Sequence, residues 1–134
     1  MIYLSRRITF SSAHRYFQKN FSEEENKKIF GKCYTPFGHG HNYILEMTVG
    51  GEINPHTGMV VNLVDVDDIL KKVTDPLDHH HLNFDVPAFK DLVPTTENIC
   101  QYCFSECLKL LPNGIKLVRT RLYETDSLWA DVYG

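Results

Sequence analysis

Long apolar runs are missing from this 134-residue chain. None approaches the roughly 20 residues that a membrane helix requires, so a helical span is excluded. The N-terminal "MIYLSRRITF" lacks the apolar core of a secretory signal, and the cytoplasm is the expected compartment. A sustained basic run is missing too. With net charge −3 and a pI of about 6.1, the chain has little with which to neutralise phosphates. Neither nucleic acid nor an anionic membrane surface is therefore an expected partner. Cysteine is scarce: there are four, and Cys100, Cys103 and Cys107 crowd into one short stretch, leaving Cys33 apart. That is no disulfide framework, and free thiols are expected. Repeats, low-complexity tracts and linkers are also absent, which implies one domain over residues 1–134. Hydrophobic residues at 43% and charged residues at 23% exclude disorder and allow a modest core.

Histidine is what the chain has in excess. All seven lie between His14 and His81. Around them the pattern of elements is readable. Residues 2–12 alternate, with Ile2, Leu4, Ile8 and Phe10 on one side and Arg6 as the exception, which predicts a strand. "FSEEENKKIFGK" (21–32) predicts about two helical turns ending at Gly31. "HNYILEMTVGGEI" (41–53) predicts a second strand, and "NPHTG" (54–58) a turn. In "VDVDDILKKV" (64–73) acids come first and lysines last, matching a helix dipole, and Pro76 stops it. "PLDHHHLNFDVPAF" (76–89) reads as an ordered loop. In residues 95–114 the threonines cap a helix and Ile99, Cys103, Cys107 and Leu111 form its apolar stripe, widened by Phe104 and Leu108. Two last strands, 115–126 and 128–133, flank a turn at Asp126–Ser127. The order ββααββ predicts an α+β fold: a four-stranded antiparallel sheet with two helices on one face. Its two open edges predict an oligomer.

The segment "GKCYTPFGHGHNY" (31–43) carries the chemistry. Residues two apart on an extended chain share a side, so His39 and His41 can aim two imidazoles at one point, and Gly40 frees the opposite face. Alone, a His-x-His fits a polar loop as well as a metal site. Pairing the first two strands as a long hairpin brings His14, at the end of the first, close to His41. Three neutral imidazoles would hold Zn²⁺ with one position open, where it would acidify a bound hydroxyl or water. Cys33 follows Gly31 and Lys32 and lies near this candidate cation, which favours the thiolate; it could act as a base beside the metal rather than as a ligand, and it fits an ordinary loop thiol as well. Cys103 and Cys107 coincide with the apolar stripe and belong to the core. In "LDHHHL" (77–82) Asp78 can orient His79 as an acid/base relay; three successive histidines are too close in sequence to converge on one ion. Glu124 is a carboxylate inside a strand. Facing a pocket, it could accept two hydrogen bonds from a guanidine-like edge; facing solvent, it is a surface acid.

Six blocks in this order resemble the 6-pyruvoyl-tetrahydropterin synthase family: residues 6–15, 30–43, 51–63, 76–87, 94–99 and 122–126. The resemblance implies the tunnelling fold, in which trimeric barrels of ββααββ subunits stack into a homohexamer with active sites at subunit interfaces. It implies zinc on His14, His39 and His41, Cys33 as general base, Asp78 and His79 as a relay from a neighbouring subunit, and Glu124 as pterin anchor with Thr95 and Thr96 lining the pocket. The implied substrate is 7,8-dihydroneopterin triphosphate, which loses triphosphate in an internal redox reaction with no external redox cofactor. A related branch makes 6-carboxy-tetrahydropterin and usually sets three residues between the cysteine and the His-Gly-His. Here five intervene, Tyr34 to Gly38, which resembles the pyruvoyl enzymes, although Tyr34 and Phe37 are bulky where those enzymes carry small polar residues. Side-chain cleavage of an aldolase type and a non-catalytic pterin-binding module are the other readings. For the triphosphate, Arg15, Lys19, Lys27, Lys28 and Lys32 supply charge, among Glu23, Glu24 and Glu25.

Overall fold

The structure, a computed structural model, describes residues 1–134. Strand β1 (Ile2–His14) is followed by helix α1 (Glu23–Phe30), β2 (His39–Gly51), α2 (Leu63–Thr74), β3 (His80–His81), α3 (Leu82–Asp85), α4 (Thr96–Leu110), β4 (Lys116–Thr125) and β5 (Leu128–Tyr133). The sheet order is β3-β1-β2-β4-β5. All neighbours are antiparallel except β3, which runs parallel to β1.

The three longer helices each start where a side chain can accept a free amide. Ser22 and Glu25 form a reciprocal capping box on α1. Asn62 accepts from Val64 N at the start of α2, and Thr95 from Asn98 N at the start of α4. Helix α2 buries Val66, Ile69, Leu70 and Val73, the spacing of one helical face. Helix α4 buries Ile99, Cys100, Cys103 and Cys107. Both pack on the sheet face that presents Phe10, Tyr43, Leu45, Met47 and Leu122. No helix is long and apolar enough to cross a membrane.

Arg6 breaks the apolar alternation of β1 because it reaches Asp67 of α2, at 2.8 Å, from the rim of the helix-covered face. The opposite face is polar. Glu46 joins Arg7, at 2.6 Å, to Arg119, while Asp131 holds Arg121 at 2.7 and 2.9 Å.

The sheet has five strands rather than the expected four. The segment read as an ordered loop contains β3 and the one-turn α3. A two-residue strand has no periodicity to read; it exists because Asp78 Oδ1 accepts Ser11 N–H at 2.9 Å and His79 N–H donates to Ser11 O at 2.6 Å, tying the segment to β1. β2 also begins at His39, two residues before the expected start. On α4, Leu108 is 55% exposed and Cys100 takes the core position. One outer edge is open along β1 except at Ser12 and Ala13, where β3 pairs; the other is β5.

Leu70, at 1% exposure, fills the layer between sheet and helices. Leu70→Ala is expected to cost about 2–5 kcal/mol in urea denaturation, and Val64→Ala on the exposed side of the same helix less than about 0.5 kcal/mol. Equal losses would mean that the core is not divided as described.

Candidate active site and metal centre

The register of β1 on β2 builds the centre. His14 stands opposite His39 and Ser12 opposite His41. Antiparallel partners share a face, and so do residues two apart, so the three imidazoles leave the sheet on one side. Their ring centroids lie 4.8 Å (His14–His39), 5.1 Å (His14–His41) and 4.9 Å (His39–His41) apart. One nitrogen from each lies within 4.8 Å of the others.

Burial and hydrogen bonding prepare these rings as ligands. His14 is fully buried, and its Nδ1–H donates to Pro94 O at 2.8 Å, just before α4, leaving Nε2 with a lone pair. Burial foremost, then the neighbouring imidazoles, lowers the His14 pKa to about 4 against an opposing contribution from Pro94. Burial also pushes His41 down, opposed by Glu124. Nε2 of His41 is buried and has no hydrogen-bond partner. A buried lone pair facing two more imidazole nitrogens fits a borderline-soft divalent metal.

Glu124 extends β4 on the same face. Its Oε1 stands 3.5 Å from His14 Nε2 and 3.7 Å from His41 Nε2, with the side chain 11% exposed. It is not a surface acid. Thr96 lies at the start of α4 with a buried hydroxyl that has no partner, whereas the Thr95 hydroxyl is committed to capping. Cys33 is half-buried at the end of a 3₁₀ turn (Gly31–Cys33), and its carbonyl accepts Tyr16 N–H at 2.9 Å, two residues past His14. It lies outside the close three-histidine group.

Asp78 and His79 pair elsewhere. Their Oδ1 and Nδ1 are 3.0 Å apart, and the Ser11 amide foremost, then His79, holds the Asp78 pKa below its ordinary value. His79 has φ of +60°, a left-handed conformation uncommon for a residue with a side chain. Its imidazole is 81% exposed and borders an open depression of about 430 Å³ at the sheet's edge, which Ser12 and His41 also line and to which Ser11, Ala13, Gly40 and Asn42 contribute. Strand alternation turns these four positions away from the face that carries His14, His39 and His41. The bulky residues at 34 and 37 differ in fate: Tyr34 stacks on Phe17 at 6.1 Å, and Phe37 is 88% exposed.

The sequence profile of the family described as 6-pyruvoyl tetrahydropterin synthase matches residues 3–134. The chain belongs to that family. The Homo sapiens 6-pyruvoyl tetrahydrobiopterin synthase is 50% identical over 125 residues, 92% of this chain and 86% of that protein. Its Pongo abelii counterpart is 51% identical over the same length and the same shares of both chains. The solved structure of Caenorhabditis elegans 6-pyruvoyl tetrahydropterin synthase superposes with a TM-score of 0.94 at 35% identity, covering 99% of this chain and 95% of that one.

Relative to this synthase-family site, reading the sequence missed the supporting shell. Tyr43 brings its hydroxyl to 3.1 Å from His14 Nδ1, and its position two residues after His41 was the available signal. Tyr16 sets its ring edgewise on His14 at 5.3 Å, and its pKa rises to about 12 through burial, then the charge of Glu124. Nothing in the sequence announces the Pro94 carbonyl.

The depressed His14 fixes a sign. An unfolded chain takes up a proton there near pH 6.5, the folded chain only near pH 4, so folding stability falls as pH falls through that window. In metal-free protein this loss is expected to be on the order of 3 kcal/mol between pH 6.5 and 4. Urea midpoints at several pH values measure it, and His14→Asn should flatten the slope.

Proposed function

We propose that this chain is a zinc-dependent 6-pyruvoyl-tetrahydropterin synthase, converting 7,8-dihydroneopterin triphosphate to 6-pyruvoyl-tetrahydropterin with release of triphosphate. The observation that carries the reading is the convergence of three imidazoles, one with an unpartnered buried nitrogen, beside the Glu124 carboxylate. Zinc bound by His14, His39 and His41 would polarise the substrate's side-chain hydroxyls and acidify the adjacent C–H bonds. Cys33 takes up a proton from the side chain as thiolate. Glu124 accepts the N–H donors of the pterin's guanidine-like edge, with Thr96 beside it. Triphosphate departs, and the side chain is oxidised as the ring is reduced, so no outside electron acceptor is required.

The relay belongs to a second copy in this reading. Asp78 and His79 lie outside the close three-histidine group, the His79 imidazole is exposed, and both sheet edges are open. Edge-to-edge association into trimeric barrels, stacked as a hexamer, would bring the pair of one copy to the Cys33 and imidazoles of another.

Purified protein incubated with 7,8-dihydroneopterin triphosphate is expected to yield the pyruvoyl product by mass spectrometry, and Cys33→Ala to yield none while keeping its metal. A 6-carboxy product, an aldehyde fragment or no turnover would each replace this reading. Shared sites are tested by mixing. Cys33→Ala and His79→Ala, each inactive, are expected to regain activity after co-expression; no recovery would place the relay within one chain.

A further inference from the structure

The synthase reading raises a physical problem. Three imidazoles leave one metal position open, and a cysteine thiolate is among the strongest ligands for such a metal. If Cys33 ligated, the dication would withdraw charge from its sulfur and make it a far weaker base, and the sulfur would fill the position meant for substrate. Only Tyr34 to Gly38 separate it from the ligand His39, so the intervening segment must hold it back.

The segment is tied at successive carbonyls. Cys33 O accepts Tyr16 N–H at 2.9 Å, Pro36 O accepts Arg15 Nη1 at 3.0 Å, and Phe37 O accepts His81 Nε2–H at 3.1 Å. The donors are themselves fixed. The Arg15 guanidinium lies 4.2 Å above the Phe17 ring, and the Arg15 amide and carbonyl both bond the Asn83 side chain, at 2.9 and 3.0 Å. The His81 imidazole packs on Phe84 at 4.3 Å, and its amide donates to Asp85 at 2.8 Å. Gly38 allows the close passage: its φ is +82°, and a β-carbon there would stand 2.5 Å from His14 O and 2.8 Å from His81 Nε2.

We propose that His81 and Arg15 are positioning residues that clamp the segment between Cys33 and His39 and thereby keep the sulfur out of the metal's coordination shell. Neither belongs to the three-histidine group. Releasing a tie lengthens the free tether and lets the thiol swing to the open position, losing its proton to solvent as the sulfur–metal bond forms.

Cobalt reports this directly, because a thiolate bound to Co²⁺ absorbs in the near ultraviolet. The full chain loaded with Co²⁺, without substrate, is expected to lack that band. His81→Ala is expected to gain it at unchanged cobalt content, with kcat falling about tenfold. His81→Gln, which can still donate to Phe37 O, should move both readings back toward wild type. Arg15→Gln releases the other tie and serves if circular dichroism shows His81→Ala unfolded. The band in wild type, a kcat loss without the band, or no change in either reading would each overturn the clamp. The inference rests on the synthase reading but fails separately: a chain that binds cobalt and makes no pyruvoyl product sinks that reading and leaves the spectra to judge the clamp.

Discussion

Everything at the active centre depends on the register of one hairpin. His14 closes β1 exactly where His39 opens β2, so the last residue of one strand and the first of the next lie side by side. Side chains alternate along a strand, and a slip of one residue would send His39 and His41 to the polar face while Phe10 and His14 stayed on the other. The apolar residues that follow prevent the slip. Tyr43, Leu45, Met47 and Val49 continue the face begun by the two histidines, and all are buried. The core therefore sets the position of the ligands, and its packing energy holds imidazoles that would otherwise prefer water.

Burial does chemical work at the same place. Taking His14 out of water makes the charged form costly, and the carbonyl of Pro94 occupies the nitrogen that does not face the centre. The ring is left neutral and oriented, the state a metal ligand needs. Glu124 arrives from a third strand, and the start of helix α4 with the residues just before it contributes Thr96 and Pro94, so sheet and helix meet at the same end of the molecule. The fold divides labour by face: apolar packing and the imidazoles under the helices, the Glu46 and Asp131 ion pairs on the other side.

The proposed function gives the open edges of the sheet a meaning. In the proposed reading, a Cys33 base and an Asp78–His79 relay that lies outside the three-histidine group complete a site through another copy. The left-handed backbone of His79 is held by its own chain, through the bonds of Asp78 and His79 to Ser11, and it leaves the imidazole exposed.

Much of this was legible in the residues. Alternation along 2–12 marked β1, acids and lysines oriented α2, and Cys33, His39 and His41 stood out by type and spacing. Family resemblance supplied Asp78, His79 and Glu124 with roles that local pattern left open. Short-range rules could not show β3, which owes its existence to bonds with Ser11, or the exposure of Leu108, which depends on where α4 crosses the sheet. The sequence by itself determined the longer elements and the donor atoms, because backbone propensity and side-chain chemistry are local. Only the tertiary structure decided that Glu124 faces two imidazoles, that Thr95 is spent on a cap, and that Arg15 and His81 hold the cysteine segment, because each is a distance between parts of the chain that only packing brings together.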